Sequence, residues 1–305
     1  MSHRRLRIGT RGSELALAQT DLIVKLLQAQ DPTLEIDAIV IKTAGDKDQS
    51  SSLAQMGGVG VFTKALESAL LNNDVDMAVH SAKDLPAGTT SGLRLVAVPA
   101  RESCEDILLS RNGWKLDELP AGSKIGTGSP RRNAQLLYHR RDLGVTGIRG
   151  NVPTRLKKLA DGEYDAIVMA HAGLKRLGLE ERITEVLPIS EFLPAPGQGF
   201  LAVQIRDDDD ESRKIVSKID DKEAHRCLDV ERGLMLGLNA GCSAAVGGWA
   251  RTENDKLQFT AVVLDSEGKH RVFAEGEIRL DDDEADLVEM VTKKLLSQGA
   301  RELIG

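Results

Sequence analysis

The sequence predicts an α/β fold of two similar lobes around a cleft, followed by a smaller α+β unit with an antiparallel sheet. Three observations carry this. Short apolar runs alternate with helical stretches as far as LAVQIR (201–206). A strand, Gly-Thr, Ser-bearing turn and helix occur twice, in IGTRGSELALAQ (8–19) and IGTGSPRRNAQ (125–135). After Asp220 the alternation gives way to one long helical stretch, three strands and a closing helix.

In chain order, LRIGT leads into ELALAQTDLIVKLLQAQ. EIDAIVIKT leads into a polar, glycine-rich segment and then VFTKALESALLNN, and VDMAVH leads into SAKDLP. After Arg101 the pattern resumes with DILLS, KIGT, NAQLLYHRR, VTGI, RLKKLADG, YDAIVMA and HAGLKRLGL. Such alternation predicts mixed, mostly parallel sheets. FLPAPGQGF (192–200), rich in Pro and Gly, reads as a crossover between lobes, and LAVQIR returns to the first lobe's sheet. GGWARTE, KLQFTAVVLD and HRVFAEGEIRL, with the turn signal DSEGK, read as antiparallel strands before the helix ADLVEMVTKKLLSQG. The expected boundaries are 1–99 plus 200–218 for the first lobe, 100–195 for the second and 219–305 for the C-terminal domain.

A chain of 305 residues is long enough for two or three cores, and its 41% hydrophobic and 29% charged residues are ordinary for a globular protein. No apolar run of roughly 18 residues occurs, so no membrane span is expected. MSHRRLRIGT lacks the apolar centre and cleavage site of a signal peptide, so the expected location is cytoplasmic. The net charge of −7 argues against nucleic acid as a partner. The six histidines are scattered with no HExxH and no Cys/His cluster, so no metal is expected. GGVGVF fits neither nucleotide-binding glycine pattern. The acidic runs at 207–211 and 281–284 read as solvated loops or helix starts.

Charge is unevenly spread. From Lys124 to Lys158 there are nine Lys and Arg against one acid, Asp142. That is either a solvated basic face or a site for a small polyanion. The loops at strand ends favour the second reading. In TGSPRR, Ser129 is placed to cap a helix that begins at Pro130, so that backbone N–H groups face an anion. Arg131 and Arg132 add planar donors suited to carboxylates. Arg11 and Ser13 of TRGS hold the equivalent place in the first lobe. Arg149 ends a strand, Arg155 lies in the first turn of a helix begun at Pro153, and Lys175 and Arg176 follow another strand.

Two further features carry chemistry. In VHSAKDLP, Asp84 beside Lys83 either caps a turn before Pro86 or, held ionised, accepts N–H bonds and faces a developing cation. Of three cysteines with no CxxC, Cys227 lies in register with Ala224, Leu234 and Leu238 and reads as core, and Cys104 has no reactive context. Cys242, in NAGCSAAVGG, sits on a bare loop, where an accident of a tight turn and a chemical role both remain open.

RIGTRGSELALAQ, VHSAKDLP, GTGSPRR, IRGNVPTRL, YDAIVMAHAGLKRLGL, PAPGQG and the Gly-Cys loop together resemble the hydroxymethylbilane synthase, or porphobilinogen deaminase, family, in its order and at similar spacing. The resemblance implies two periplasmic-binding-protein-like lobes and a C-terminal domain carrying the cysteine. It implies a transferase that joins four porphobilinogen molecules head to tail, each losing ammonia, into hydroxymethylbilane for tetrapyrrole synthesis. The primer implied is a dipyrromethane bound to Cys242 by a thioether. It further implies Lys83, Ser129, Arg131, Arg132 and Arg155 as holders of cofactor carboxylates. Arg11, Ser13, Gln19, Thr127, Arg149, Arg155 and Arg176 would bind substrate, with Asp84 catalytic. Family habit implies a monomer.

The chain departs from the common pattern at Gln55 and Val59, where many members have lysines, and at Ala244 and Ala245, where bulkier residues often follow the cysteine. The departures bear on loop gating and chain handling. The rival readings are a non-catalytic two-lobe protein binding a small polycarboxylate, which leaves Cys242 unexplained, and a cysteine-nucleophile hydrolase, which lacks a suitably placed histidine.

Overall fold

A computed structural model describes residues 5–42, 63–241 and 243–304. The chain divides into two compact units, Met1–Glu102 with Phe200–His225 and Ser103–Gly199 with Arg226–Gly305. The C-terminal sheet therefore falls in the second unit, and the first is assembled from two separate stretches.

The first unit is built on a five-stranded sheet. Its strands are β1 (Arg5–Thr10), β2 (Glu35–Val40), β3 (Met77–Ser81), β4 (Leu93–Ala97) and β10 (Leu201–Arg206), in the order β2-β1-β3-β10-β4. β1 pairs in parallel with β2 and β3, whereas β10 runs antiparallel to β3 and β4. LAVQIR thus does return to the first sheet. Helix α1 (Glu14–Gln30) begins at Ser13, whose hydroxyl accepts from the Ala16 N–H at 3.3 Å. Its buried residues Gln19, Thr20, Ile23 and Leu27 recur at helical spacing. Ile23 and Leu27 pack with Leu6, Ile8, Met77, Val203 and Ile205, each burial being worth about 1.5–3 kcal/mol. Helix α2 (Lys64–Leu71) packs Leu66 and Leu70 with Val75, Ala78 and Leu93.

The second unit repeats the plan. Strands β5 (Asp106–Ser110), β6 (Lys124–Gly126), β7 (Gly144–Thr146), β8 (Ala166–Ala170) and β9 (Glu185–Val186) lie in the order β7-β6-β8-β5-β9. β6 is parallel to β7 and β8, and β5 is antiparallel to β8 and β9. Position for position this matches the first sheet, with β6 in the place of β1 and β5 in the place of β10. The duplicated Gly-Thr motif marks a duplicated lobe. Both sheets are mixed, with an antiparallel half, because β5 and β10 each follow a crossover rather than a helix on their own sheet.

Helices α3 (Pro130–His139), α4 (Val152–Ala160) and α5 (His171–Arg176) follow β6, β7 and β8, and α6 (Asp210–Val216) follows β10. Asp209 caps α6. Helix α7 (Lys222–Gly237) leads to an antiparallel sheet of β11 (Ala245–Glu253), β12 (Lys256–Leu264) and β13 (Arg271–Arg279). Helices α8 (Glu284–Ser297), capped by Asp283, and α9 (Ala300–Ile304) complete the chain. Both acidic runs therefore supply helix caps. Helix α7 can lie close against α8 because Gly233 and Gly237 lack side chains: a Cβ at either would fall 3.0 Å from Val288 or Thr292. Cys227 is buried on α7, as its register predicts, and Cys104 is buried too. No described helix is long and apolar enough to cross a membrane.

Candidate functional site

In each unit the expected site residues gather beyond the carboxyl ends of the parallel strands, where open α/β sheets hold ligands. In the first unit, β1 delivers Arg11 and Ser13, and neighbouring β3 delivers Lys83 and Asp84. Arg11 is half-buried, while Lys83 and Asp84 are exposed on a 3-10 turn, Ala82–Asp84. The turn is anchored at its start, where the Ala82 N–H donates to the Phe200 carbonyl at 3.0 Å. Gln19 is buried and donates from Nε2 to Ser81 Oγ at 2.8 Å. Its amide is thereby committed to the end of β3, next to Asp84.

In the second unit the loops after β6, β7 and β8 stand side by side. Thr127 is buried, and its hydroxyl accepts from the Ser129 N–H at 3.2 Å. Ser129 caps α3 with Pro130 in the first turn, as the sequence predicts, and accepts from the Arg132 N–H at 3.4 Å. Arg131 and Arg132, both buried, point into the unit toward Asp106, to which no sequence motif assigns a role. Arg131 donates from Nη1 to Asp106 Oδ2 and to the Leu193 carbonyl, both at 2.6 Å. Arg132 donates from Nε to Asp106 Oδ1 at 2.9 Å, from Nη1 to the Val168 carbonyl and from Nη2 to Gln198 Oε1, both at 3.2 Å.

Arg149 corrects one expectation. β7 stops at Thr146, and Arg149 lies in the following loop. Gly147 and Gly150 bracket that segment, and Gly150 takes φ +109°, a left-handed conformation that suits a turn rather than a strand. Helix α4 is capped by Asn151, which accepts from the Thr154 N–H at 3.0 Å, and begins one residue before Pro153. Arg155 in its first turns is half-buried and donates from Nε to the Gly150 carbonyl at 2.9 Å. Arg176 ends α5 and donates from Nη2 to the Gly199 carbonyl at 2.6 Å. Cys242, Gln55 and Val59 lie outside the described residues.

The electrostatics of the second unit are lopsided. Burial works to raise the Asp106 carboxyl, but the charges of Arg131 and Arg132 and the Gln198 hydrogen bond hold it well below the usual carboxylate range. Burial lowers the Arg132 guanidinium from its ordinary value, with Asp106 opposing and Arg131 adding to the fall. Burial and the neighbouring charges of Arg132 and Arg149 bring Arg155 down to about 10. Arg149 has no acid partner among the described residues. Several guanidiniums converge with one buried carboxylate between them, so the loops fit a ligand that brings its own carboxylates.

Three residues that matter here escaped the sequence reading. Asp106 opens an apolar strand, where a charge needs a buried partner. Gln198 lies in the PAPGQG segment, which the sequence marks only as a crossover. Glu231, fully buried on α7, accepts from the Gly197 N–H at 2.6 Å and the Ala250 N–H at 2.9 Å, fixing the same segment to β11.

The sequence matches known proteins along nearly its whole length. Residues 6–214 match the family model described as "Porphobilinogen deaminase, dipyromethane cofactor binding domain", and residues 225–297 match "Porphobilinogen deaminase, C-terminal domain". The porphobilinogen deaminase of Desulforudis audaxviator is 44% identical over 99% of this chain and 97% of its own. That of Pelotomaculum thermopropionicum is 43% identical over 99% and 96%. The likeness to the periplasmic VFT2 domain of Bordetella pertussis BvgS is slight, with TM-score 0.43 and 15% identity over 71% of this chain and 87% of that one.

Proposed function

This chain belongs to the porphobilinogen deaminase family, a transferase that makes hydroxymethylbilane from porphobilinogen, and we propose how its loop residues divide that work. The observation that carries the proposal is that Arg149 and Arg155, on the loop after β7 and the start of α4, have no acid partner among the described residues, while Arg155 is lowered first by burial and then by the charges of Arg132 and Arg149. Pyrrole units bearing an acetate and a propionate each supply the negative charge that Arg149 and Arg155 lack.

The family's dipyrromethane, carried on Cys242, supplies when bound the pyrrole ring that each new unit joins. Lys83, Ser129, Arg131, Arg132 and Arg155 hold its carboxylates. Arg11, Ser13, Thr127, Arg149, Arg155 and Arg176 take the acetate and propionate of incoming porphobilinogen. Gln19 belongs to this set and acts also through Ser81. Asp84 accepts the substrate's pyrrole N–H. Its charge then faces the positive charge that grows on the substrate as its aminomethyl group departs as ammonia. The reading as a non-catalytic polycarboxylate binder accounts for the arginines alone and is not favoured by relatives named as deaminases.

We keep the three-part division of 1–99 plus 200–218, 100–195 and 219–305. It is supported by the separate three-stranded sheet and by family models that end at 214 and resume at 225. A monomer in the cytoplasm is proposed from the family's habit. The test is an assay with porphobilinogen as sole substrate. Release of ammonia together with a linear tetrapyrrole supports the proposal, and the absence of both from folded protein overturns it.

A further inference from the structure

We propose that Asp106 is a positioning residue for this enzyme: one buried carboxylate, helped by the Gln198 amide, fixes Arg131 and Arg132 in place and sets the charge they present to the cofactor's carboxylates. The inference rests on the reading that these two arginines hold the cofactor.

The geometry is specific. Asp106 is 0% exposed at the start of β5. Its Oδ2 takes Arg131 Nη1 at 2.6 Å, and its Oδ1 takes Arg131 Nη2 at 3.3 Å. The same Oδ1 takes Arg132 Nε at 2.9 Å, with Arg132 Nη2 at 2.8 Å. Gln198 Nε2 donates to Oδ1 at 2.9 Å and to the Cys104 carbonyl at 2.7 Å. Two guanidinium planes, from consecutive residues in the first turn of α3, are thus locked by one carboxylate from β5 and one amide from the crossover. Arg131 and Gln135 add a second anchor at the Leu193 carbonyl, at 2.6 and 3.1 Å.

The charge count matters as much as the contacts. Two buried cations face one buried anion, so the group keeps one excess positive charge away from water. Gln198 completes the shell without adding charge. Arg131 Nε is buried with no acceptor among the described residues. Arg132 also raises the local potential at Arg155. An entering carboxylate meets Arg131 Nε, which has no acceptor among the described residues, on a guanidinium already held in place, and a positive charge not yet cancelled. That preorganisation removes the reorganisation that free arginine side chains would need.

The test reads occupancy rather than turnover. Intact-mass measurement of the purified full chain gives the fraction of molecules carrying dipyrromethane. In Asp106→Asn that fraction should fall about tenfold or more, by analogy with the loss when a partner that orients a metal ligand is removed. In Gln198→Leu, which keeps the carboxylate, it should fall by less. Ile107→Val, on the opposite face of β5 among Leu109, Ile148 and Leu156, lowers stability without touching the arginines and should load fully. Loading of Asp106→Asn within about twofold of wild type would overturn the proposal, as would an equal fall in Ile107→Val. If Asp106→Asn is recovered only unfolded, Gln198→Leu decides, and full loading of that variant overturns the role. A wild-type protein without the added mass would instead overturn the functional reading itself.

Discussion

Gln19 Nε2 donates to Ser81 Oγ at 2.8 Å, tying α1 to the last residue of the strand that delivers Asp84. The second unit uses the same device. Gln135 on α3 accepts the Leu193 N–H at 2.9 Å and donates to its carbonyl at 3.1 Å. Both glutamines close the duplicated stretch, as the last letter of GSELALAQ and of GSPRRNAQ. Each is buried, and each holds a loop that bears on the site. The repeat therefore conserves a method of fixing loops as well as a fold.

Gln19→Leu should leave the first unit folded, with a stability loss of about 1 kcal/mol for one hydrogen bond. Turnover should fall about tenfold or more, because a reacting group misplaced by ~1 Å can cost a hundredfold. Steady-state kinetics beside a thermal melt separates the two effects. An unchanged kcat would show that Ser81 needs no such anchor.

Asp84→Ala removes an exposed carboxylate, so stability should change by no more than about 0.5 kcal/mol. Turnover should drop by roughly 100- to 1000-fold, the loss expected when a charge facing a developing charge is deleted. Near-normal turnover in this variant would remove Asp84 from the chemistry.

A Cys242→Ala protein, carrying no covalent pigment, should gain thermal stability from an added polycarboxylate such as citrate, since ligand binding to the folded state stabilises it. Arg149→Leu in that background should weaken the gain. The pH dependence has a definite sign. The folded-state pKa of Arg155, about 10, lies below its unfolded value. Its ionised form therefore destabilises the anion-free fold at all pH values below about 10, and that effect is relieved as Arg155 deprotonates above it. The citrate-induced gain should accordingly fade as pH rises through about 10. A gain indifferent to both Arg149→Leu and pH would place the anion elsewhere.

Asp106→Asn should destabilise the protein by about 3–5 kcal/mol at neutral pH, because it strands two buried guanidiniums. The folded carboxyl lies below its unfolded value, so its stabilisation is complete above about pH 4 and is lost as pH falls toward the folded value. The gap between wild type and variant should narrow in acid. Denaturant titrations at neutral pH and at about pH 3 check this, and a gap constant with pH would contradict the ion-pair account.

Much of this was legible because it is local. Ser129 before Pro130 announces a helix start within a few residues, and the repeat of Gly-Thr and Ser at 8–19 and 125–135 foretold two lobes of one design. The three C-terminal strands alternate and turn where DSEGK says they should. Direction in the sheets was harder. Strands β5 and β10 look like any apolar run, and only the crossovers that precede them reverse their sense. The apolar Ile148 suggests a strand ending at Arg149, whereas Ile148 is buried from the loop after β7, in a cluster with Leu109, Leu156 and Ile167. The partners of Arg131 and Arg132 were out of reach, because Asp106 and Gln198 lie far away in sequence and meet them only once α3, β5 and the crossover are packed. A basic run of nine cations and one acid revealed the excess charge but not where its counter-ion sits.

The most direct measurement is the intact mass of freshly purified active protein, beside Cys242→Ala and with an acidic aldehyde reagent as the colour test. The account predicts a mass above that of the sequence by one dipyrromethane, a coloured product, and neither feature in the variant. Active wild-type protein at its bare sequence mass, or a Cys242→Ala protein that still turns over porphobilinogen, would contradict it.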